Sequence, residues 1–324
     1  MFKIVAVLGT GSIGIRHLRL LRQIENVIPV AIPIRASRMP ELAAQGYSVA
    51  NNLSEAKAQR AIIATDTRRH MDDARLALSE GCHVLVEKPM AVDVVQALPL
   101  LMQGQSHERR LFVGCVLRFS ESLNGFRAQL PNIGRVHSVR IESQSYLPDW
   151  QPHHSYRDAY SARADEGGVL RDLIHEIDYA GWIFGWPETV QGRIRNLGRL
   201  GIDAEECADL FWETKTGVAV SVTLDYLSRQ ARRRMRASGE HGTLEWDAIT
   251  KTVTLALASQ PITETVSTQS RDEMYLAQLQ AFIQAQLESY DERLATGVDG
   301  VRALAVCDAA RRASKARREE ILEL

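Results

Sequence analysis

Over the first 120 residues, short apolar runs alternate with segments whose apolar positions recur every three or four residues, the pattern of strand, helix, strand, helix. Residues 4–8, 58–65, 82–86 and 111–117 read as strands. Leu18, Leu21 and Ile24 mark a first helix, and 39–45, 71–78 and 97–102 mark others. Strands that alternate with helices belong in a parallel sheet covered on both faces. A further apolar stretch, 27–34, holds Pro29 and Pro33, which sit poorly in a central strand because proline donates nothing to the ladder. A short segment near Val49 follows.

Past Asn124 the texture changes. Residues 136–145 alternate apolar and polar positions, and 190–197, 207–213, 218–224, 232–237, 242–246 and 251–257 add strand-like segments separated by Gly, Asp and Ser turns. A mostly antiparallel sheet is predicted, with one face on helices and the other open to subunit contact. Positions 170, 173, 174, 177, 180, 183 and 184 trace one helical stripe across 167–185, and Tyr275, Leu279, Phe282, Ile283 and Leu287 trace another across 272–290. Residues 297–300, with two glycines, are predicted to interrupt the pattern before a charged closing helix over 301–324. The fold class is therefore α/β, with two domains, 1–120 and 121–324.

Composition narrows the function. With 324 residues and 45% hydrophobic side chains, the chain can bury a large core. Its 39 Lys and Arg balance 40 Asp and Glu, which argues against a nucleic-acid or membrane partner. The first strand starts at once after Met1, Phe2 and Lys3, and no apolar stretch approaches bilayer length, so a cytoplasmic protein is expected. Cys82, Cys115, Cys207 and Cys307 lack metal-ligand spacing and are expected to be buried thiols.

Chemistry enters first at Gly9-Thr10-Gly11-Ser12-Ile13-Gly14, between the first strand and the first helix. In that context Gly9 allows a sharp turn, Gly11 lets backbone approach a pyrophosphate, and Gly14 lets helix and strand pack closely. The N–H groups at the helix start, near Ser12 and Ile13, would face the phosphates. About 20 residues further on, an NAD site is expected to place an acidic residue against the ribose. Arg35, Ser37 and Arg38 stand there instead, which leans the cofactor assignment toward NADP over NAD.

In an open parallel sheet the carboxyl ends of strands face the ligand crevice. Thr65, Asp66 and His70 follow one such end, and Glu87-Lys88-Pro89 follows another. A buried strand ending in an ammonium is costly unless that ammonium meets an oxygen ligand or an acid, and the chain holds only six lysines. Thr65, Asp66, His70, Glu87 and Lys88 are thus candidate cofactor contacts, and Lys88 a candidate substrate contact as well. Arg118 ends the strand over 111–117.

The second half supplies a loop, 146–160, with Tyr146, Trp150, His153, His154, Tyr156 and Tyr160, flat apolar faces beside polar donors of the kind that line a pocket for a polyhydroxylated ligand. Asp172, His175 and Asp178 follow at spacings of three in the same helical segment, beside its apolar stripe, so neighbours can face each other. An acid beside a histidine orients the imidazole and suits it to accept and return a proton. His175-Glu176 lacks the second histidine of a zinc helix, and no metal is expected. Tyr226 and Arg229 follow a strand where they either reach the pocket or pack.

From GTGSIG at 9–14, through EKP at 87–89 and VGCVLRF at 113–119, to GGVLRDLIHEID at 167–178 and GEHGTLEWD at 239–247, the chain resembles the Gfo/Idh/MocA oxidoreductases. The resemblance implies an N-terminal Rossmann domain, a C-terminal α/β domain whose open sheet builds homodimers or homotetramers, and a substrate cleft between them. It implies hydride transfer between NAD or NADP and a secondary alcohol or ketone of a sugar, inositol or related ring. Lys88 matches the family's substrate-contacting lysine, His175 its proton-transferring histidine and Asp172 its assisting acid; Arg118, Tyr146, Trp150, Tyr156 and Tyr160 are further candidate substrate contacts on their chemistry. Two residues separate Asp172 from His175 where many members have three. The loop over 146–162 and the form HEID are similar to a branch associated with surface-sugar or nonulosonic-acid biosynthesis, which points to an amino sugar, nucleotide sugar or sugar acid. Two other readings stay open, an NAD-dependent glycoside hydrolase that works by transient oxidation and a non-catalytic sugar- or dinucleotide-sensing protein.

Overall fold

The computed structural model describes residues 2–150 and 155–323. The elements run β1 (Lys3–Leu8), α1 (Ser12–Leu21), β2 (Val27–Ile32), α2 (Met39–Ala44), β3 (Ser48–Val49), α3 (Leu53–Ala56), β4 (Arg60–Ile63) and α4 (Thr67–Ser79). Then come β5 (His83–Val86), α5 (Val94–Ser106), β6 (Leu111–Val113), α6 (Glu121–Gln129), β7 (Val136–Tyr146), α7 (Val169–Asp172) and α8 (Ile174–Phe184). The remainder is β8 (Thr189–Arg195), β9 (Cys207–Glu213), β10 (Ala219–Asp225), β11 (Leu227–Gly239), β12 (Gly242–Asp247), β13 (Thr252–Leu257) and β14 (Thr263–Val266). The chain closes with α9 (Arg271–Gln284), β15 (Ala295–Thr296), α10 (Gly297–Ala316) and β16 (Glu320–Ile321).

Two compact units result. The first holds residues 1–119 and 270–301, the second 120–269 and 302–324. The first division falls beside the expected boundary at 120, but 270–301, expected with the second block, clusters with the first. The reason is apolar. Tyr275, Leu279 and Phe282 of α9 are buried in one core with Leu18 and Leu21 of α1 and with Phe112 and Phe119. Arg60 at the start of β4 also donates to the carbonyls of Phe282 and Ala285.

In the first unit the strand order is β15-β6-β5-β4-β1-β2-β3. All neighbours are parallel except the β15–β6 pair. Burial on both faces explains the unbroken apolar runs: Val5, Ala6 and Val7 of β1 and Ala61, Ile62 and Ile63 of β4 have no exposed surface. Pro29 is accommodated inside β2 because β3 pairs only with Val30 and Ala31, so beside the proline the ladder continues on one side alone, where β1 places Val5. The strand expected over 111–117 stops at Val113, where Gly114 and a 3-10 turn over Val116–Phe119 take over.

Among the described residues, the second unit's sheet runs β14-β13-β12-β11-β7-β10-β9-β8-β16. It is antiparallel except for β7 against β10. Alternation is plain in β10, where Val220, Val222 and Leu224 are buried between half-exposed neighbours. On the covered face Gly192 of β8 meets α10 so closely that a Cβ would lie 2.5 Å from the Ala310 carbonyl oxygen.

Two helices depart from the expected pattern. The stripe over 167–185 is not one helix, because Leu173 (φ −99°, ψ 29°) separates α7 from α8. No Gly or Pro marks the break, so tertiary packing overrides the local propensity. Residues 297–300 do not interrupt a helix; they form the first turn of α10. Thr296 caps it, its Oγ1 accepting from the Asp299 N–H while the Asp299 carboxylate accepts from the Thr296 N–H. Its two glycines serve packing, since a Cβ on Gly300 would lie 2.8 Å from Val113 and one on Gly297 3.0 Å from Leu111. The same helix ends at Ala316, short of the expected 324, and the chain then pairs as β16 with β8.

Candidate active site

The candidate residues fall into two groups, one in each unit. In the first, the glycine turn joins the buried end of β1 to α1, and each glycine is there for a separate spatial reason. Gly9 has φ +88°, and a Cβ on it would lie 2.4 Å from the Ala64 carbonyl oxygen. A Cβ on Gly14 would lie 1.9 Å from the Gly9 carbonyl oxygen. Gly11 differs: nothing lies within 4 Å of where its Cβ would be. It caps α1 with extended geometry and no side-chain hydrogen bond, so no capping side chain occupies the N–H groups of Ser12 and Ile13 at the helix start. A pyrophosphate fits this cradle.

Around the turn, Arg38 donates from Nη1 to the Thr10 carbonyl and lies 3.3 Å from Thr10 Oγ1. Its other amino group is 3.5 Å from Glu41. Arg35 flanks the 3-10 turn over Ala36–Arg38 that holds Ser37. Thr65 donates to Asp73 at 2.8 Å, and Asp66 caps α4. His70 is buried, its Nδ1 2.8 Å from the Pro89 carbonyl oxygen and its Nε2 3.0 Å from that of Thr65. Burial pushes the His70 imidazole down while those two carbonyls pull it up.

Glu87 is buried, with Oε1 2.7 Å from Nε2 of His17 and Oε2 3.3 Å from the Lys88 N–H that donates to it. Burial alone would raise the Glu87 carboxyl; the hydrogen bond from His17 and the positive charge nearby outweigh it and hold the group below the usual carboxylate range. Lys88 is half-buried beside it. Arg118 is 1% exposed, and its guanidinium lies 3.4 Å from Asp299.

In the second unit, Asp172 ends α7 and His175 is the second residue of α8; both are buried. Tyr226, which follows β10, donates its hydroxyl to Asp172 Oδ2 at 2.6 Å. That phenol is held well above its ordinary range, by burial first and then by the Asp172 charge. Trp150 packs edge-on against Tyr226 with ring centroids 5.4 Å apart and donates to Ser145 at 2.9 Å. Arg229 stacks over Tyr146 at 3.6 Å, and the Tyr156 hydroxyl donates to the Leu200 carbonyl at 3.0 Å. Tyr160 opens a 3-10 turn. His153 and His154 lie outside the described residues. Behind His175, the fully buried Glu176 pairs with Arg233 at 2.7 Å. Among the described residues no group of three or more His, Cys, Asp or Glu side chains is placed to hold a metal ion.

The structure brings Trp150, Tyr226 and Asp172 into one chain of contacts. Sequence reasoning leaves Tyr226 between reaching the pocket and packing; the structure shows it fully buried, against Trp150 and bonded to Asp172. Sequence reasoning does not single out His17, although the spacing of Gly14, His17, Leu18 and Leu21 puts a histidine on the apolar stripe of α1.

A parallel sheet with a glycine turn opening α1, joined to an antiparallel unit bearing a buried Asp–His pair, defines an oxidoreductase built on an NAD-binding Rossmann fold. The chain belongs to the GFO/IDH/MocA family. Residues 3–115 match the model described as the oxidoreductase family with NAD-binding Rossmann fold, and 131–245 match that of the family's C-terminal domain, together more than half of the chain. It is 25% identical over 191 residues to myo-inositol 2-dehydrogenase of Thermotoga maritima, covering 56% of this chain and 54% of that one. It is 25% identical over 237 residues to UDP-N-acetylglucosamine 3-dehydrogenase of Acidithiobacillus ferrooxidans, covering 71% and 69%. The chain spans about half the length of the first of these relatives and of two further ones. Levoglucosan dehydrogenase, solved with NADH and levoglucosan, shares the fold with a TM-score of 0.88 at 15% identity over the whole of both chains. No helix among the described residues is long and apolar enough to cross a membrane.

Proposed function

We propose that this protein is an NAD(P)-dependent dehydrogenase acting on a secondary hydroxyl, or the matching ketone, of a sugar, amino sugar, nucleotide sugar or similar cyclic polyol. The observation that carries the proposal is the buried Asp172 carboxylate, held by the Tyr226 hydroxyl at 2.6 Å and three residues before His175. A carboxylate fixed in this way orients a neighbouring neutral imidazole and stabilises the cation it becomes on taking a proton, the requirement for a reversible proton acceptor.

The nicotinamide, when bound, supplies the two-electron acceptor. In the oxidative direction His175 takes the hydroxyl proton while the carbon gives up its hydrogen with the bonding pair, so alcohol becomes ketone and one proton is released. Lys88 donates to the same oxygen and stabilises the charge that builds on it. Asp172 orients His175, and Tyr226 and Trp150 orient Asp172. Cleavage of a glycosidic bond would need a further leaving-group step.

Within the same reading we propose a preference for NADP. Support comes from the absence of a carboxylate at 33–38 and from Arg38, tied to the glycine turn through the Thr10 carbonyl. The resemblance to UDP-N-acetylglucosamine 3-dehydrogenase keeps an amino-sugar or nucleotide-sugar substrate beside the cyclic polyol that the inositol dehydrogenases suggest. We also propose self-association through the outward face of the second sheet, as a homodimer or homotetramer. There an open cleft of about 540 Å³ interleaves Arg140, Arg234 and Arg236 with Glu142, Glu245 and Asp247, a charge pattern that a second copy can pair with.

The test follows absorbance at 340 nm with NAD and NADP against myo-inositol, glucose 6-phosphate, levoglucosan and UDP-N-acetylglucosamine. Lys88→Ala and His175→Ala should each lower turnover by about 100-fold or more while NADH binding persists. Wild-type turnover in both variants refutes the mechanism. Hydrolysis of a glycoside without net change in cofactor points to the hydrolase, and cofactor binding without any turnover points to a sensor.

A further inference from the structure

We propose that His17 and His70 are positioning residues that clamp the main chain on both sides of Lys88. Each histidine is almost wholly buried, at 0% and 2% exposed, and each spends its short polar contact on an immediate neighbour of that lysine. His17, on α1, holds Glu87 Oε1 at 2.7 Å, and the other oxygen of the same carboxylate accepts from the Lys88 N–H at 3.3 Å. His70, on α4, has Nδ1 2.8 Å from the Pro89 carbonyl oxygen and Nε2 3.0 Å from that of Thr65; a neutral imidazole donates to one of the two, and in the clamp that one is Pro89. Glu87 is pinned a third time, its own N–H donating to Ile63 at 2.9 Å.

The space for this arrangement is built in. A Cβ on Gly114 would lie 2.9 Å from Glu87 Oε2, so any side chain there would push the carboxylate off the Lys88 N–H. A buried ion pair by itself contributes little net stability, because desolvating two charges offsets their attraction. The His17 contact with Glu87 and the His70 contact with the Pro89 carbonyl instead converge on the residues either side of 88 and remove backbone freedom there. The four-carbon stem that carries the ammonium then starts from a fixed point, and for a group that must meet a developing charge, placement is worth orders of magnitude in rate.

The clamp bears on catalysis through the role of Lys88 proposed above, so its test has two arms. The first needs no substrate. The full chain, loaded with NADH, is trace-acetylated with acetic anhydride and the labelling of Lys88 is read by peptide mass spectrometry against Lys215. His17→Leu and His70→Leu should each raise Lys88 labelling at least about three-fold relative to Lys215, and His17→Gln, whose amide N–H replaces Nε2, should return it toward wild type. Gly114→Ala, which disturbs Glu87 from the opposite side and leaves both histidines intact, should raise it as well. Unchanged Lys88 labelling in the folded variants overturns the clamp, as does an equal rise at all lysines, which is general loosening.

The second arm reads kcat on the four-compound panel. His17→Leu should cost about ten-fold or more in the wild-type background and less than about two-fold in a Lys88→Ala background, with the Kd for NADH unchanged. Equal losses in both backgrounds overturn the proposal. Full turnover by Lys88→Ala alone would instead refute the dehydrogenase mechanism, while the labelling arm still reports on the clamp.

Discussion

Gly11→Ala separates cofactor binding from folding more cleanly than any other single change in the first unit. The residue has φ −72° and ψ −169°, extended geometry that alanine adopts without strain, and its Cβ would meet nothing within 4 Å. Loss of glycine freedom in the unfolded chain stabilises by about 0.4–1 kcal/mol, and alanine is poorer than glycine as an N-cap by a comparable amount. The two nearly cancel, so Tm should move by less than about 4 °C. Binding is another matter, because the methyl would stand at the open start of α1, where a pyrophosphate must approach the backbone. Losing one charge-assisted hydrogen bond to phosphate, about 1.5–3 kcal/mol, weakens the Kd for NADH about 10- to 100-fold. Gly14→Ala is the counterpart: its Cβ would lie 1.9 Å from the Gly9 carbonyl oxygen, and overpacking of about 1–3 kcal/mol or more should lower Tm by several degrees. Fluorescence titration with NADH and thermal melts read both variants. Wild-type NADH affinity in Gly11→Ala, or a wild-type melt in Gly14→Ala, would refute the reasoning.

Two further changes test the second unit and the pH response. Tyr226→Phe removes the hydroxyl that donates to Asp172; a hydrogen bond to a buried carboxylate is worth about 1.5–3 kcal/mol, so a thermal melt should show a drop of about 3–10 °C. Turnover should fall with it, and a fall in Tm at unchanged kcat would mean that Asp172 does not need this orientation. His83 is pushed down to about 4, first by burial and then by Arg60, Arg109 and Arg110. The folded protein therefore binds fewer protons there than the unfolded chain does, and the His83 contribution, complete above its ordinary value of 6.5, is lost as pH falls through about 4. In His83→Asn an amide oxygen replaces the Nδ1 that accepts from the Arg110 N–H at 3.1 Å, and the slope of Tm against pH between 6.5 and 4 should flatten. An unchanged slope would rule out His83 as a source of acid sensitivity.

Local periodicity carried the sheet composition of both units, because buried parallel strands and half-covered antiparallel strands leave different patterns along the chain. What it could not carry are features set by distant neighbours. The break at Leu173 has no local marker, and the glycines at 297 and 300 look like helix breakers until their contacts with Leu111 and Val113 are known. The return of α9 to the first unit depends on a core shared with Leu18 and Phe112. Site residues divide the same way. The glycine turn and the spacing of Asp172 and His175 are readable because their members are close in sequence. Tyr226 with Asp172 and His17 with Glu87 are pairs separated by 54 and 70 positions, which only the folded chain brings together.

The return of 270–301 to the first unit also dictates an order of events during synthesis. While 120–269 emerges from the ribosome, the nascent Rossmann sheet lacks both β15 and the helix whose Tyr275, Leu279 and Phe282 cover Leu18, Leu21, Phe112 and Phe119. Its greasy flank stays uncovered through that whole interval, a natural station for a chaperone. A gene cut after codon 119 should accordingly yield an aggregating product, and appending 270–301 through a short linker should rescue its solubility.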